Sequence, residues 1–307
     1  MAQSKNPTSL LVLRLFQAVI ITLAFLFIAS WVMVFFLVYL FAHPDTPFSR
    51  LTPENYAIHY VPVQFHSTDG FPLNGWYVPA EGESRGLVVL VNGFRGRMDV
   101  TLGHITFLHQ AGYDCVAFEY RTVGQGFFAN LTFGKNEGSD LLGVIDTLKS
   151  RGYFGNGDYY VLGLSLGAAT AAMSARQMDD VKGIILNSSF ADFKLAMHKI
   201  VQGLGLPEGI FLPLGLAVFY LQTGVDAEEL CPARYMSDIT VPVVIIQGQN
   251  DLMIGAEQGE MLFSSAPPGT EMWRVPDKGH LIVEPELMNI TNEEYKEHIL
   301  QFLMENN

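Results

Sequence analysis

The most prominent hydrophobic feature of the chain is an unbroken apolar run near its N-terminus. Residues 15–42 contain no Asp, Glu, Lys, Arg or His, and their uncharged polar side chains include those of Gln17, Thr22 and Ser30. As an α-helix rising about 1.5 Å per residue, this segment would be about 42 Å long. A bilayer has a hydrocarbon layer about 30 Å thick, so the pattern predicts a transmembrane helix over 15–42, preceded by a tail over 1–14.

A cleaved signal peptide is the alternative interpretation of this run. The apolar part of a signal peptide spans about 7–15 residues and ends at a small-x-small cleavage site. Here the apolar run continues through residues 31–41, beyond any cut after Ser30. We therefore expect an uncleaved, single-pass membrane anchor.

The charges that flank the anchor predict its orientation. Lys5, Arg14 and the α-amino group precede it, whereas Asp45, Arg50 and Glu54 follow it. Positive charges tend to remain on the cytoplasmic side of a membrane. We expect the N-terminus in the cytoplasm and the body of the protein on the extracytoplasmic side.

After the anchor, three prolines predict an extended linker over 43–57, followed by one domain over 58–307. In this domain apolar runs alternate with segments of helical periodicity. Several runs are apolar throughout, as expected when helices cover both faces of a sheet, so the pattern predicts a mostly parallel, doubly wound α/β sheet with an antiparallel pair at its start. The predicted strands are 59–67, 74–80, 86–93, 113–120, 158–165, 182–189, 241–248 and 271–276, and the predicted helices are 98–111, 138–151, 166–178, 255–265 and 292–305.

A long insertion interrupts the alternation of strands and helices. Residues 191–238 separate two predicted strands that a single helix could have joined, and the central part, 204–224, is rich in Leu, Phe, Pro and Gly. Long insertions in compact domains are usually functional. We favour a helical lid over the alternative of a helical hairpin that only packs on the sheet.

The acidic composition limits the possible partners. The net charge is −13, and no stripe of Lys and Arg compensates for it, so we expect no binding to nucleic acid. The sequence has no His-Glu-x-x-His, Cys-x-x-Cys or phosphate-loop motif, and we expect no cofactor and no metal. Cys115 lies in an apolar run, so a buried free thiol is favoured over a disulfide with Cys231.

A Gly-x-Ser-x-Gly motif lies where a predicted strand meets a predicted helix. Its residues 163–167 read Gly-Leu-Ser-Leu-Gly, and a run of small residues follows. At such a joint the serine of a nucleophile elbow is held on a sharp turn, with the N-terminus of a helix beside it. The motif alone is weak, but its position predicts that Ser165 is a nucleophile.

A serine nucleophile needs a base, and position along the chain selects His280 among the eight histidines. His280 follows the last predicted strand on a Gly-containing loop, so it can reach the carboxyl edge of the sheet. The acid that orients the base should follow an earlier strand, which favours Asp251. Asp277, Glu284 and Asp238 are the alternatives and fit this position less well.

Two backbone N–H groups are expected to stabilise the oxyanion that forms when a serine attacks a carbonyl. One is the N–H of Leu166, directly after the nucleophile. The other should come from the loop after the third strand, 91–99, and the N–H of Phe94 is the strongest candidate.

With these residues assembled, residues 58–305 resemble the α/β-hydrolase superfamily, and in particular its small, singly membrane-anchored serine hydrolases. The resemblance rests on Gly-Leu-Ser-Leu-Gly at 163–167, Gly-Gln-Asn-Asp-Leu-Met-Ile at 248–254, Lys-Gly-His at 278–280 and Asn-Gly-Phe-Arg-Gly at 92–96. The order Ser165, Asp251, His280 along the chain is also that of the superfamily.

The sequence departs from the pattern of the superfamily outside the three candidate catalytic residues. Asn92 stands where many members carry histidine. The stretch 118–126 resembles the family's Asp-Tyr-Arg-Gly-x-Gly turn, but Glu119 and Thr122 replace the usual Asp and Gly.

The resemblance implies an α/β-hydrolase fold and an enzyme that transfers acyl groups through Ser165. The apolar insertion and the anchor favour a small-molecule or lipid-like acyl substrate, with a carboxylic ester or thioester as the bond that is cleaved. A peptidase or amidase of the same fold is the first alternative. The second is a non-catalytic, membrane-tethered binding domain.

Overall fold

The computed structural model of the protein describes residues 7–126, 129–153, 159–281 and 292–307. Its strands are β1 (Val61–His66), β2 (Pro72–Val78), β3 (Leu87–Val91), β4 (Asp114–Phe118), β5 (Tyr159–Leu164), β6 (Val181–Asn187), β7 (Val243–Gly248) and β8 (Glu271–Val275). Within the described residues they form one sheet in the order β1-β2-β4-β3-β5-β6-β7-β8. β2 is antiparallel to both β1 and β4, and the other neighbouring strands are parallel.

The central strands are buried on both faces. Every residue of β3, β4, β5 and β7 is buried. Successive side chains alternate between faces: Val89 belongs to one apolar cluster, whereas Val88 and Leu90 belong to the cluster on the opposite face. This arrangement confirms the prediction of a mostly parallel, doubly wound sheet with an antiparallel start.

Helices cover both faces of the sheet. The helices of the described residues are α1 (Pro7–Ala42), α2 (Leu102–Gln110), α3 (Lys135–Ser150), α4 (Leu166–Ser174), α5 (Phe193–Gly203), α6 (Glu208–Thr223), α7 (Glu257–Ser265) and α8 (Glu293–Glu305). Helices α3 and α4 contribute to the cluster that contains Val89, whereas α2 and α8 contribute to the opposite cluster. Residue 158 of the predicted fifth strand and residues 1–6 of the predicted tail lie outside the described residues.

Helix α1 is the long apolar helix expected from the sequence. The segment Leu10–Ala42 of this helix is long and apolar enough to cross a membrane. The last turns of α1 pack against α6, and the side-chain amide of Gln222 in α6 donates a hydrogen bond to the carbonyl of Phe35 at 3.0 Å. The C-terminal part of α1 is therefore in direct contact with the body.

The segment that follows α1 is hydrogen-bonded to the body along its length. The Leu131 N–H donates to the Ala42 carbonyl at 2.6 Å, and the Gly124 N–H donates to the Thr46 carbonyl at 2.8 Å. Further along, the N–H and hydroxyl of Ser49 both donate to Glu119. These contacts hold residues 42–49 against the loop that follows β4.

The insertion over 191–238 contains α5 and α6, followed by short 3₁₀ turns. Helix α5 begins after Asp192, whose carboxylate accepts the N–H of Lys194 at 2.8 Å and caps the helix. Helix α6 ends at Gly224, which adopts a left-handed conformation with φ of 69°. Both helices lie beside the last turns of α1.

A buried arginine connects three separate parts of the chain. Arg121 follows β4. Its Nε and Nη2 donate to Asp140 of α3 at 2.8 and 2.6 Å, and its Nη1 and Nη2 donate to Asp69 at 2.7 and 2.8 Å. The side chain of Asp140 is fully buried. The guanidinium thus neutralises a buried carboxylate and fixes the loop after β4 against α3.

Replacement of this arginine should destabilise the fold strongly. Arg121→Ala leaves the Asp140 carboxylate buried without its partner, and we expect a loss of about 3–5 kcal/mol in the free energy of unfolding. Thermal unfolding of the full chain in detergent is the measurement. The control is Arg274→Ala, which breaks an exposed bidentate pair with Glu260 and should cost at most about 1 kcal/mol. Equal losses for the two variants would contradict this interpretation.

Candidate active site

Ser165 occupies a strained turn between β5 and α4. Its φ is 52° and its ψ is −113°, a conformation that non-glycine residues rarely adopt. The turn is tight: a Cβ at Gly163 would collide with the backbone of Ala168, and one at Gly167 with the carbonyl of Val91. Any side chain at these two positions would therefore clash, which explains the two glycines of the motif. The turn holds Ser165 at the carboxyl end of β5.

The structure brings together the three side chains selected from the sequence. His280 Nε2 lies 2.8 Å from Ser165 Oγ, and His280 Nδ1 lies 2.7 Å from Asp251 Oδ2. The residues follow β5, β7 and β8, and these strands are parallel, so their carboxyl ends meet at one edge of the sheet. The result is a continuous chain of hydrogen bonds from hydroxyl to carboxylate.

The alternative acids are arranged differently. Asp277 is exposed, and Asp238 faces Arg176 with 3.9 Å between their charged atoms. Glu284 lies outside the described residues. Asp251 is therefore the carboxylate that contacts His280 within the described part of the chain.

The environment of Asp251 favours the ionised carboxylate. Its side chain is fully buried, which by itself raises its pKa, but the hydrogen bond and charge of His280 and the hydrogen bonds from Ile254 and Gln247 together outweigh burial. The backbone N–H groups of Met253 and Ile254 also donate to Oδ1, and the amide of Gln247 donates to Oδ2 at 3.0 Å. The net effect is a pKa below the ordinary value for aspartate.

Sequence reasoning missed Gln247 as a partner of the acid. Gln247 belongs to β7, a strand whose other residues are apolar or glycine, and it is almost fully buried. A lone polar side chain in such a strand, four residues before the acid, is a signal that could have identified it. Its Nε2–H···Oδ2 bond helps to fix the orientation of the Asp251 carboxylate.

The loop that carries His280 is held by its neighbours. The N–H of Asn250 donates to the carbonyl of Lys278 at 2.9 Å, and the N–H of Leu281 donates to the hydroxyl of Ser188 at 3.0 Å. A Cβ at Gly248 would collide with the carbonyl of Gly279. The loops after β6 and β7 therefore hold the backbone of the loop that carries the imidazole, a set of contacts that sequence spacing did not predict.

A tight turn after β3 lies against the serine. The N–H of Gly96 donates to the carbonyl of Gly93 at 3.0 Å, and Arg95 has a φ of 74°. A Cβ built on Gly93 would lie 3.5 Å from Ser165 Cβ. The backbone of Gly93 therefore lies close to Ser165, and the next residue, Phe94, the predicted oxyanion donor, lies near the nucleophile. Leu166, the other predicted donor, is the first residue of α4, a position whose N–H has no partner within a helix.

The side chain of Asn92 is hydrogen-bonded to this turn. The residue is fully buried, and its Nδ2 donates to the carbonyls of Gly96 and Phe118. Its own carbonyl accepts the hydroxyl of Tyr120 at 2.6 Å. The amide therefore joins the ends of β3 and β4 at the position where the resemblance led us to expect histidine.

An aromatic cluster connects the turn to helix α1 and the insertion. Phe41, in the last turn of α1, stacks on Phe94 with 5.4 Å between ring centroids and on Phe133 with 5.0 Å. Phe133 in turn contacts Phe193 of α5 and Phe219 of α6 at 4.8 and 5.8 Å. Helix α1 thus reaches the same turn that lies beside Ser165.

The described residues contain no cluster of three or more His, Cys, Asp or Glu side chains that could hold a metal ion. Cys115 and Cys231 are both buried free thiols. Burial raises the pKa of the Cys115 thiol well above its ordinary value, which keeps it protonated and unreactive.

The sequence and the fold identify the family of the chain. The sequence model described as "Alpha/beta hydrolase family" matches residues 88–287, a stretch that includes the serine, the aspartate and the histidine. The protein belongs to the α/β-hydrolase family.

Individual proteins resemble this chain in sequence or in structure at low sequence identity. The uncharacterised protein YfhR of Escherichia coli O157:H7 is 20% identical over 257 residues, which cover 79% of this chain and 80% of YfhR. The esterase Pf2001 of Pyrococcus furiosus superposes with a TM-score of 0.69 at 21% identity and covers 86% of this chain and 98% of its own. The acylaminoacyl peptidase of Pyrococcus horikoshii superposes with a TM-score of 0.60 at 17% identity, over 81% of this chain and 42% of the peptidase. The structural similarity therefore extends to both an esterase and a peptidase.

Proposed function

We propose that the protein is a membrane-anchored serine hydrolase that cleaves carboxylic ester or thioester bonds through an acyl-enzyme. The observation that carries the proposal is the hydrogen-bond chain from Ser165 Oγ through His280 to Asp251. Such a chain couples a hydroxyl to a base and the base to an ionised acid, which is the arrangement that turns serine into a nucleophile.

The first half of the reaction acylates the serine. His280 Nε2 takes the proton from Ser165 Oγ as the oxygen attacks the acyl carbonyl. The N–H groups of Phe94 and Leu166 stabilise the negative charge on the tetrahedral intermediate. The imidazolium then gives its proton to the departing alcohol or thiol, which leaves the acyl group on Ser165.

The second half returns the enzyme to its starting state. His280 takes a proton from water, which attacks the acyl-enzyme, and then returns a proton to Ser165 Oγ as the carboxylic acid departs. The Asp251 carboxylate stays ionised and stabilises the imidazolium in both halves. This role agrees with its lowered pKa.

The hydrogen-bond chain argues against a non-catalytic binding domain but is compatible with a peptidase or amidase. A non-catalytic binding domain has no need for a strained serine within hydrogen-bond distance of a histidine. A peptidase or amidase would use the same groups, and the similarity to the P. horikoshii acylaminoacyl peptidase favours it as the second candidate.

The apolar character of α1 and α6 supports an acyl-chain or lipid-like substrate. Exposed apolar side chains occur on the insertion as well as on α1, among them those of Leu195, Leu204, Ile210 and Leu221. Exposed apolar surface of this kind is typical of membrane or lipid contact. We infer that residues 15–42 anchor the protein in a membrane and that 191–238 act as a lid at its surface.

Loss of the nucleophile should abolish hydrolysis. Ser165→Ala should lower kcat/KM for p-nitrophenyl butyrate by at least about 10³-fold, because no other group in the proposed mechanism can form the acyl-enzyme. The matched control is Ser174→Ala, a buried serine at the other end of α4, which should retain activity. Equal activity in the Ser165→Ala variant and the unmodified chain would exclude the mechanism.

The length of the acyl chain should affect the rate. With p-nitrophenyl esters from acetate to dodecanoate, we expect kcat/KM to rise by at least 10-fold beyond acetate, since longer chains bury more apolar surface. Aminoacyl p-nitroanilides measured alongside test the peptidase alternative. A series without preference beyond acetate would argue against an acyl-chain substrate, and faster cleavage of the anilides would favour the peptidase.

The proposed orientation places the catalytic domain outside the cytoplasm. It is supported by Arg14 before the anchor and by Asp45 and Glu54 after it. Protease added to sealed membrane vesicles whose cytoplasmic side faces inward should then degrade the body of the protein and leave an enclosed cytoplasmic control protein intact. Protection of the body until the membrane is permeabilised would show the opposite orientation.

A further inference from the structure

An apolar cavity of about 240 Å³ lies between the last turns of α1 and the two helices of the insertion. On the α1 side it is lined by Leu37, Val38 and Phe41, and on the side of α5 and α6 by Met197, Leu216 and Phe219. All the residues that line it have apolar side chains or are glycine. Such a cavity does not hold water well, because water needs several polar partners.

Phe41 connects the cavity to the turn that lies beside the candidate active site. Phe41 lines the cavity and also stacks on Phe94, the residue whose N–H is the proposed oxyanion donor. The turn that carries Phe94 lies against Ser165 through Gly93. A single aromatic ring from α1 therefore stands between the cavity and the turn beside the nucleophile.

The other end of the cavity reaches the surface of the protein. Two of its lining residues are substantially exposed: 49% for Leu37 on α1 and 64% for Leu204 after α5. Nearby side chains on α1, such as Phe36 and Leu40, are also exposed and apolar. The mouth of the cavity thus lies on the surface that faces lipid if α1 crosses a membrane.

We propose that helix α1 forms one wall of the substrate site and that the acyl chain of a membrane-resident ester lies between α1 and α6. This inference rests on the proposed function and goes beyond it, since it makes the anchor part of the binding site. The ester bond lies at Ser165, and the chain extends past Phe41 into the cavity. A substrate enters sideways from the bilayer and keeps its hydrocarbon out of water throughout.

The volume of the cavity is suitable for an acyl chain of medium length. A dry apolar cavity of about 150 Å³ accommodates benzene, with its six carbons. By the same measure 240 Å³ holds roughly eight to ten carbons. The site should therefore favour acyl chains of about this length, and groups that reduce the cavity should shorten the preferred chain.

Gly215 offers a way to fill the cavity from α6. It lines the cavity, and a Cβ built on it meets no atom within 4 Å. A larger side chain therefore enters open space, and replacing a glycine within a helix favours the helix. Gly209 is the matched control, because it belongs to the same helix, also has open space around a built Cβ, and is exposed away from the cavity.

Leu37 and Leu40 provide the same comparison on α1. Both are leucines on the last turns of the helix, with similar exposure of 49% and 43%. Leu37 lines the cavity, whereas Leu40 does not. Leu37→Trp should narrow the cavity from the side of the anchor, and Leu40→Trp adds the same bulk elsewhere on that helix.

The experiment measures the ratio of kcat/KM for p-nitrophenyl decanoate to that for the acetate, with the full chain in lipid nanodiscs. We expect Gly215→Leu and Leu37→Trp to lower this ratio by at least 10-fold, and Gly209→Leu and Leu40→Trp to leave it within 2-fold. Gly215→Ala should give an intermediate ratio, which separates filling of the cavity from loss of the fold.

The outcomes separate this inference from the proposed function. If the unmodified chain hydrolyses esters through Ser165 but all four larger substitutions leave the ratio unchanged, the cavity does not hold the acyl chain and the inference is wrong. A fall of the ratio for Gly215→Leu without one for Leu37→Trp would overturn the part assigned to α1. If the unmodified chain cleaves none of the esters, the proposed function fails and the inference fails with it.

Discussion

The hydrogen bond between Ser165 Oγ and His280 Nε2 is the contact on which the proposed active site depends. It joins two side chains 115 residues apart in the sequence at a distance of 2.8 Å. Nothing local to either residue creates it. It exists because β5 and β8 run parallel in one sheet, with β6 and β7 between them, so that the residues after both strands emerge at the same edge. The strain at Ser165 is tolerated because the packed backbone of Gly163, Gly167 and Val91 leaves the turn little freedom.

The same edge of the sheet is bound to α1 by a second set of contacts. Phe41 stacks on Phe94, and the segment after α1 is hydrogen-bonded to the loop after β4 as far as Ser49. A flexible tether would leave the body free to turn above a membrane. Here α1 and the body are packed together, which fixes the direction in which the edge that carries Ser165 faces relative to the helix. This constraint makes a site shared between α1 and the body physically reasonable.

Much of this arrangement was predictable because it follows from the order of the strands. Ser165 follows one predicted strand, and Asp251 and His280 follow later ones. Because the carboxyl ends of parallel strands share an edge, these positions alone predicted that the three side chains lie close together. The boundaries of elements were less predictable. Helix α3 begins at Lys135, before the predicted start at residue 138, because the buried Glu137 accepts the N–H of Gly134 and stabilises an earlier first turn.

Contacts between elements that are distant in sequence were beyond prediction. The hydrogen bond from the Asn92 amide to the carbonyl of Phe118 and the stacking of Phe41 on Phe94 depend on how side chains pack in three dimensions. Hydrophobic periodicity shows that α1 and α6 are apolar, but it does not show that they touch. Glu119 is a similar case: it differs from the residue expected from the resemblance, and its contact with Ser49 appears in the fold alone.

The most direct test of the account is to identify which residue reacts with a fluorophosphonate, a reagent that captures activated serine nucleophiles. After treatment of the full chain in detergent, mass spectrometry of the digested protein should find one phosphonyl adduct per chain, on the peptide that contains Ser165. Prior replacement of His280 by alanine should prevent its formation, because the hydroxyl then lacks its base. An adduct on another serine, or no adduct on a folded chain, would contradict the central claim that Ser165, His280 and Asp251 act as one catalytic unit.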